Sequence, residues 1–315
     1  MSKEREPTDP GRRRVLECMT WAGAGVLWTI SGGVPRSRMI GAADAAEPGS
    51  VGKPGLAFMQ ISDSHIGFAH PPNTDTRGTL AEAIALVSTH GNDATLMLHT
   101  GDVSHLSRPA QFDTAHQIIS GAKLDVHYVP GEHDVLDGDG STFFARFTPG
   151  AARGWYSWDQ SGIHFVGLNN VQDLKAGGLG NLGAEQIAWL GRDLASRPSS
   201  QPIVVFAHVP LWTIYAEWGW GTDDSEQALA LLRRFESVTV LNGHIHQVMQ
   251  KVEGNVAFHT ARSTAFPQPA PGAAASPGPI KDLPAGRLRS TLGVTSVRQV
   301  SVGSALAIVD TLLGA

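Results

Sequence analysis

The sequence predicts an α/β fold with parallel strands joined by helical crossovers. Two observations carry that expectation. Five short apolar runs between residues 55 and 241 alternate with amphipathic patterns, and each run stops at a cluster of glycine, carboxylate or imidazole residues. The 315 residues, 42% hydrophobic and 17% charged, suffice for a sizeable core and exclude disorder throughout.

The elements follow in order. Residues 55–61, G-L-A-F-M-Q-I, read as a buried strand, and 79–89 carry Ala, Leu and Ile at helical spacing. Residues 94–99 read as a second strand, 110–119 as a helix and 124–129 as a third strand. Residues 155–158 and 163–168 flank Asp159-Gln160-Ser161-Gly162, a hairpin signal. Residues 183–195 form an amphipathic helix with Ile187, Leu190 and Leu194 on one face. A strand at 202–207, a helix at 225–235 and a strand at 238–241 come next. Residues 248–252 and 256–260 suggest a hairpin across Glu253-Gly254, and 304–309 can add a last strand. The Pro/Gly/Ala-rich stretch 266–286 should lack regular structure and serve either as a lid or as a solvated loop.

The first 54 residues read differently. Gly11-Arg12-Arg13-Arg14 precedes an apolar stretch over 19–33, short for a membrane span of about 20 residues, and Ala43-Asp44-Ala45 offers a small-x-small cleavage site. Residues 1–45 resemble a twin-arginine signal peptide, with Gly11 where Ser or Thr is usual and Glu17 where Lys is usual. Residues 46–54 then read as a linker and 55–315 as one domain. The expectation is a periplasmic or secreted protein with no stable membrane span after cleavage. Cleavage removes the single cysteine, Cys18, so a metal site in the mature chain must use imidazoles and carboxylates. It also removes seven basic and five acidic residues, moving the net charge from −5 to −7, with no basic footprint for nucleic acid. The sequence sets no oligomeric state.

Five polar clusters sit at strand ends: Asp63-Ser64-His65, Gly101-Asp102, Gly131-Glu132-His133, His208 and His244-Ile245-His246. In open α/β sheets, ligands gather beyond the carboxyl ends of the strands. Asp63 and His65 are two residues apart, as are His244 and His246, so extended backbone points each pair to one side. The glycines ahead of Asp102, Glu132 and His244 let the chain turn sharply. Asp63, His65, Asp102, Glu132, His208, His244 and His246 make seven candidate ligands without thiolate, a set suited to two ions of Mn, Fe or Zn sharing a carboxylate. Asp134 reads as a structural residue or as a partner that orients a histidine, and His105 as a candidate substrate contact. His70, His164 and His259 read as ordinary packing or surface residues, and His99 as packed within its strand. The loop bearing Trp212, Trp218 and Trp220 either packs or stacks on a substrate ring.

The ordered set D-x-H, G-D, G-E-H, H and G-H-x-H resembles the calcineurin-like metallophosphoesterase family over residues 61–246. Asn181-Leu182, Gln186, Trp189-Leu190 and the run 204–210 are similar to its exported, cyclic-nucleotide-phosphodiesterase-like branch. The purple acid phosphatase branch is set aside, because His65 is present and no tyrosine follows Asp102. The resemblance implies a four-layer α/β/β/α sandwich of two mixed sheets with flanking helices. It implies a first metal held by Asp63, His65 and His246, a second held by Glu132, His208 and His244, and Asp102 bridging both. Glu132 stands where the family uses asparagine. His133 is implied as the catalytic acid, with a metal-bridging hydroxide attacking a small phosphodiester or phosphomonoester. The rival expectation is a catalytically weak metal-binding or ligand-sensing protein on the same scaffold, for which Glu132 is the motive.

Overall fold

A computed structural model of the chain describes residues 25–31, 34–40, 55–151, 153–299 and 305–314. The chain divides into two compact units, Met1–Gly52 and Lys53–Ala315. In the first, β1 (Gly25–Ser31) and β2 (Val34–Ile40) pair antiparallel, with Gly25 opposite Ile40. The arginine run, Cys18 and the Ala43-Asp44-Ala45 motif lie outside the described residues.

The second unit holds two mixed sheets. Strands β3 (Ala57–Ile61), β4 (Leu96–His99) and β5 (Asp125–Tyr128) run parallel. The crossovers are α1 (Thr76–His90) and α2 (Pro109–Ile119), and α3 (Ser141–Phe147) follows β5. Strand β12 (Gly293–Gln299) pairs antiparallel with β3, and β13 (Leu306–Leu312) closes a five-stranded sheet of order β13-β12-β3-β4-β5. The other sheet begins with the expected hairpin of β6 (Tyr156–Gln160) and β7 (Ile163–Gly167), followed by β8 (Ile203–Phe206) and β9 (Val238–Asn242), parallel to β7. Strands β10 (Gln250–Glu253) and β11 (Val256–Thr260) form the second hairpin and complete the order β10-β11-β9-β8-β7-β6. Helices α4 (Gly183–Ala195) and α5 (Ser225–Leu232) provide the crossovers.

Period-two alternation along the strands builds the layers. On β4, Leu96 and Leu98 point between the sheets, whereas Met97 packs with Leu80, Ile84 and Phe112 of α1 and α2. On β8, Val204 and Phe206 face the same inter-sheet core, while Ile203 and Val205 meet Leu190 of α4 and Leu232 of α5. The rings of Phe58 on β3 and Phe165 on β7 meet edge-on across the interface at 5.5 Å, a geometry worth about 0.5–1.5 kcal/mol beyond burial. Gln60 crosses the same gap, its amide donating to the Asn242 carbonyl at 3.2 Å. The result is the four-layer α/β/β/α sandwich. It places the carboxyl ends of β3, β4, β5, β8 and β9, where all five polar clusters lie, along one rim.

Candidate active site

The polar clusters converge through an unusual backbone. Among the described non-glycine residues, eight have positive φ, and five of them are candidate ligands: Asp63 (53°), His65 (40°), Asp102 (52°), His244 (70°) and His246 (56°). Such left-handed positions cost about 1–3 kcal/mol each and persist only where the surroundings over-determine them. The expectation of extended backbone at Asp63/His65 and His244/His246 is therefore corrected. The side chains meet because the chain coils left-handed directly after each strand. Interlocked strand-end loops hold it so. The Asp63 and His65 amides donate to the carbonyls of Gly101 (3.0 Å) and Asp102 (2.8 Å), and Gly243 donates to His208 (3.0 Å).

The glycines serve in two ways. Gly101 needs its positive φ of 95°. Gly131 instead has extended torsions, φ −99° and ψ 173°, and a β-carbon there would lie 2.0 Å from Asp102 Oδ1. Gly243 is likewise a matter of space, its β-carbon position lying 2.0 Å from Ser62 Oγ. Turning freedom thus explains one of the three.

All seven candidate ligands come together. Asp63, His65 and His246 present ligand atoms within 4.8 Å of one another, and so do Glu132, His208 and His244. Asp102 lies between the triads, with Oδ2 3.4 Å from His65 Nε2 and 3.5 Å from His208 Nε2. Backbone carbonyls fix two of the imidazoles. His208 Nδ1 donates to Thr100 O at 2.7 Å and His246 Nδ1 to Phe266 O at 2.5 Å, so each Nε2 lone pair faces the site. Glu132 reaches both partners of its triad, Oε2 to His208 Nε2 at 2.8 Å and Oε1 to His244 Nδ1 at 3.1 Å.

That second triad bears on whether cations fit. Glu132 Oε2, His208 Nε2 and His244 Nδ1 are buried and close, yet none is aligned in a hydrogen bond. Buried polar atoms without partners are costly, about 1–3 kcal/mol each. With the imidazoles neutral, acceptors face acceptors, an arrangement that a divalent cation satisfies. Burial works against the charged forms, but Asp102 and Glu132 raise His208 well above the usual imidazole range. His244 and His208 in turn hold Glu132 well below the usual carboxylate range against the effect of burial. Carboxylate oxygen and imidazole nitrogen without sulfur suit Mn, Fe or Zn.

His133 belongs to neither triad. Its backbone N–H donates to Asp102 Oδ1 at 2.9 Å and its Nδ1 to His105 O at 2.8 Å, leaving Nε2 as the titrating atom. Burial lowers its pKa, but Asp102, Glu132 and the His105 carbonyl outweigh this and raise it. The His105 ring stacks on His133 at 4.7 Å, and burial together with His133 lowers its own pKa to about 4, so it is neutral at pH 7. Of the two roles expected for Asp134, the structural one holds, and it hydrogen-bonds no histidine side chain. Its carboxylate accepts the backbone N–H groups of Val103, Ser104 and Gly131, tying the Asp102 loop to the Glu132 loop.

The residues matched by the family described as calcineurin-like phosphoesterase run from 56 to 248. The chain belongs to the calcineurin-like phosphoesterase family. It is a phosphoester hydrolase. The phosphoesterase is 23% identical over 222 residues to a probable cyclic nucleotide phosphodiesterase of Rhodopseudomonas palustris, covering 67% of this chain and 78% of that one. Its fold is similar to a dimetal phosphatase from Danio rerio, with a TM-score of 0.56 and 15% identity over 82% of this chain and 99% of that one. It is also similar to a purple acid phosphatase from yellow lupin seeds, with a TM-score of 0.62 and 14% identity over 82% and 52% of the two chains. The latter likeness is one of fold, since His65 stands in the first cluster and Val103 follows Asp102.

A cavity of about 770 Å³ opens over the ligand set of the phosphoesterase, lined also by His105, Phe68, Trp218 and Trp220. The Trp-rich loop divides: Trp218 and Trp220 line the cavity, whereas Trp212 packs against Phe258 on the outer face of the sheet. His70, expected as a packing or surface residue, is exposed and also lines the cavity. His164 and His259 are buried and paired with carboxylates, at 2.7 Å from Asp193 and 3.0 Å from Asp310. His99 is buried, with Nε2 2.8 Å from Ser64 Oγ. Sequence reasoning missed Asn170, which exchanges hydrogen bonds with the Val209 backbone and fixes the loop after His208. The Asn169-Asn170 pair at the end of β7 was its one available signal.

Proposed function

We propose that the protein hydrolyses a phosphodiester to a phosphomonoester and an alcohol, with one divalent cation at Asp63, His65 and His246 and a second at Glu132, His208 and His244. Asp102, which lies between the two triads, would help to hold both, and His133 donates a proton to the leaving oxygen. The carrying observation is the pair of triads on either side of Asp102. Bound there, two such cations would supply a nucleophile near neutral pH and offset charge developing on phosphorus. The chain's own residues do the rest. Thr100 and Phe266 carbonyls aim two ligands, Asp102 seats the His133 backbone, and the His105 carbonyl leaves the transferable proton on His133 Nε2. The three carboxylates, Asp63, Asp102 and Glu132, would offset most of the positive charge of two divalent cations, so Glu132 makes the site less attractive to a doubly charged monoester than a neutral residue there would. Protein loaded with Mn, Fe or Zn should hydrolyse an aryl phosphodiester faster than the matching monoester; failure on both would sink the proposal.

Glu132→Asn separates this reading from a catalytically weak metal-binding protein. The substitution is expected to weaken the second cation and lower activity. It also has a signed pH consequence. His133 must be protonated to donate, and Glu132 helps to raise its pKa, so losing that charge moves the alkaline limb of kcat/KM to lower pH. A large gain in activity from near zero would favour the weak binder.

We also propose export by the twin-arginine route to the periplasm or beyond, supported by the arginine run and the Ala43-Asp44-Ala45 motif. Among the described residues, no helix is long and apolar enough to cross a membrane. Exported protein should begin at residue 46 by mass spectrometry, and Arg12→Lys/Arg13→Lys should leave it in the cytoplasm. Full export of that double variant would count against the route.

A further inference from the structure

The cavity is much larger than the scissile phosphate needs. Its volume of about 770 Å³ lies in the range that encloses most of a drug-sized ligand, about 300–1,000 Å³. Beyond the ligands and histidines, much of its wall comes from residues 266–282, a strap without helix or strand apart from local turns. The strap is nevertheless pinned. The Phe266 carbonyl accepts from His246 Nδ1, and the Ile280 amide donates to Pro267 O at 3.1 Å. Gln268 is the clasp: Nε2 donates to His244 O at 2.8 Å, and Oε1 accepts from the Gly278 amide at 3.0 Å. One side chain thereby joins both arms of the strap to a ligand-bearing turn.

Lys281 lies on this wall. Among the described residues it is the only lysine or arginine lining the cavity, and it is solvent-exposed, with no ion pair or hydrogen bond. Its neighbour Asp282 lines the same space, and aromatic rings of Phe68, Trp218 and Phe266 supply flat apolar surface. An ammonium is a point charge that prefers an anion, and aromatic walls prefer a planar group.

We propose that Lys281 is a specificity-determining residue, and that the strap receives the non-scissile half of a phosphodiester bearing a planar ring with a second anionic group. This rests on the phosphodiesterase reading above. Both functions of the strap follow from its pinning. It positions His244 and His246 from behind while presenting Lys281 to the substrate.

The test uses three phosphodiesters sharing a 4-nitrophenyl leaving group and carrying methyl, phenyl or 4-carboxyphenyl as the second ester group. Wild-type KM should fall in that order. Lys281→Ala should narrow the kcat/KM ratio of carboxyphenyl to phenyl ester about 2- to 5-fold, the worth of one solvent-exposed ion pair, through KM rather than kcat. Lys281→Arg should restore most of the ratio, and Asp282→Asn should widen it. A ratio unchanged in Lys281→Ala, or a wild-type enzyme that does not prefer the carboxyphenyl ester, overturns the assignment. If wild-type protein cleaves none of the three, the phosphodiesterase reading fails instead, so the two failures are distinct.

Discussion

Replacing His133 with asparagine is expected to lower kcat about 10²- to 10⁴-fold on esters with a poor leaving group while both cations stay bound. The geometry sets this pattern. The His133 backbone is tied to Asp102 Oδ1 by its own N–H, which an asparagine would keep, so the Asp102 carboxylate retains its seat. Only the imidazole is lost, with its Nδ1 contact to the His105 carbonyl and its stacking on His105 at 4.7 Å. A proton donor matters most when the departing oxygen is basic. The variant should therefore lose far less activity on a 4-nitrophenyl ester than on a phenyl or alkyl ester. A different role is available to His133, since its ring also lies within ligand distance of Asp102 and Glu132. In that case metal content, read by elemental analysis, drops and the loss is equal across leaving groups. That outcome would remove the general-acid assignment.

The candidate ligand set was legible in the sequence because chemistry and position coincide there. Asp63, His65, Asp102, Glu132, His208, His244 and His246 each follow an apolar run, and the run is legible from composition. Their backbone was not. Nothing in D-S-H or G-H-I-H announces left-handed torsions, which come from loops zipped together over long range, such as Asp63 to Gly101 and Gly243 to His208. Strand β12 escaped for a related reason: its central partner is β3, more than 230 residues earlier in the chain, and no local turn signal introduces it. Helix α3 is seven residues long, too short for a periodic pattern, although Phe143 and Phe147 are buried one turn apart. Pro/Gly composition foretold the irregular strap at 266–286. It could not foretell that the Phe266 carbonyl and Gln268 would support His246 and His244, two candidate ligands, since a carbonyl has no residue identity.

Asp102→Asn is expected to have the largest effect of any conservative change in the site, abolishing turnover and stripping cations from both triads. Asp102 is buried at 2% exposure, and asparagine matches its shape and keeps an acceptor for the His133 amide, so the fold should survive. What changes is the other oxygen. Oδ2 faces His65 Nε2 at 3.4 Å and His208 Nε2 at 3.5 Å, one imidazole from each triad. His208 Nδ1 already donates to Thr100 O, so its Nε2 offers a lone pair, and an asparagine NH2 would donate to it and occupy the coordination space. The substitution thus replaces an anionic bridge with a plug. Calorimetry should find both cations weakened, and the thermal stabilisation by metal, about 2.7 kcal/mol at 100 times Kd for a single site, should largely vanish. Asp134→Asn provides the contrast. That carboxylate accepts three backbone N–H groups and, in the proposed centre, touches no cation, so an NH2 set against those donors should cost about 1–3 kcal/mol with or without metal. If Asp102→Asn instead lowers stability equally in both conditions while binding two cations normally, Asp102 is a structural carboxylate like Asp134, and the two-cation centre loses its bridge.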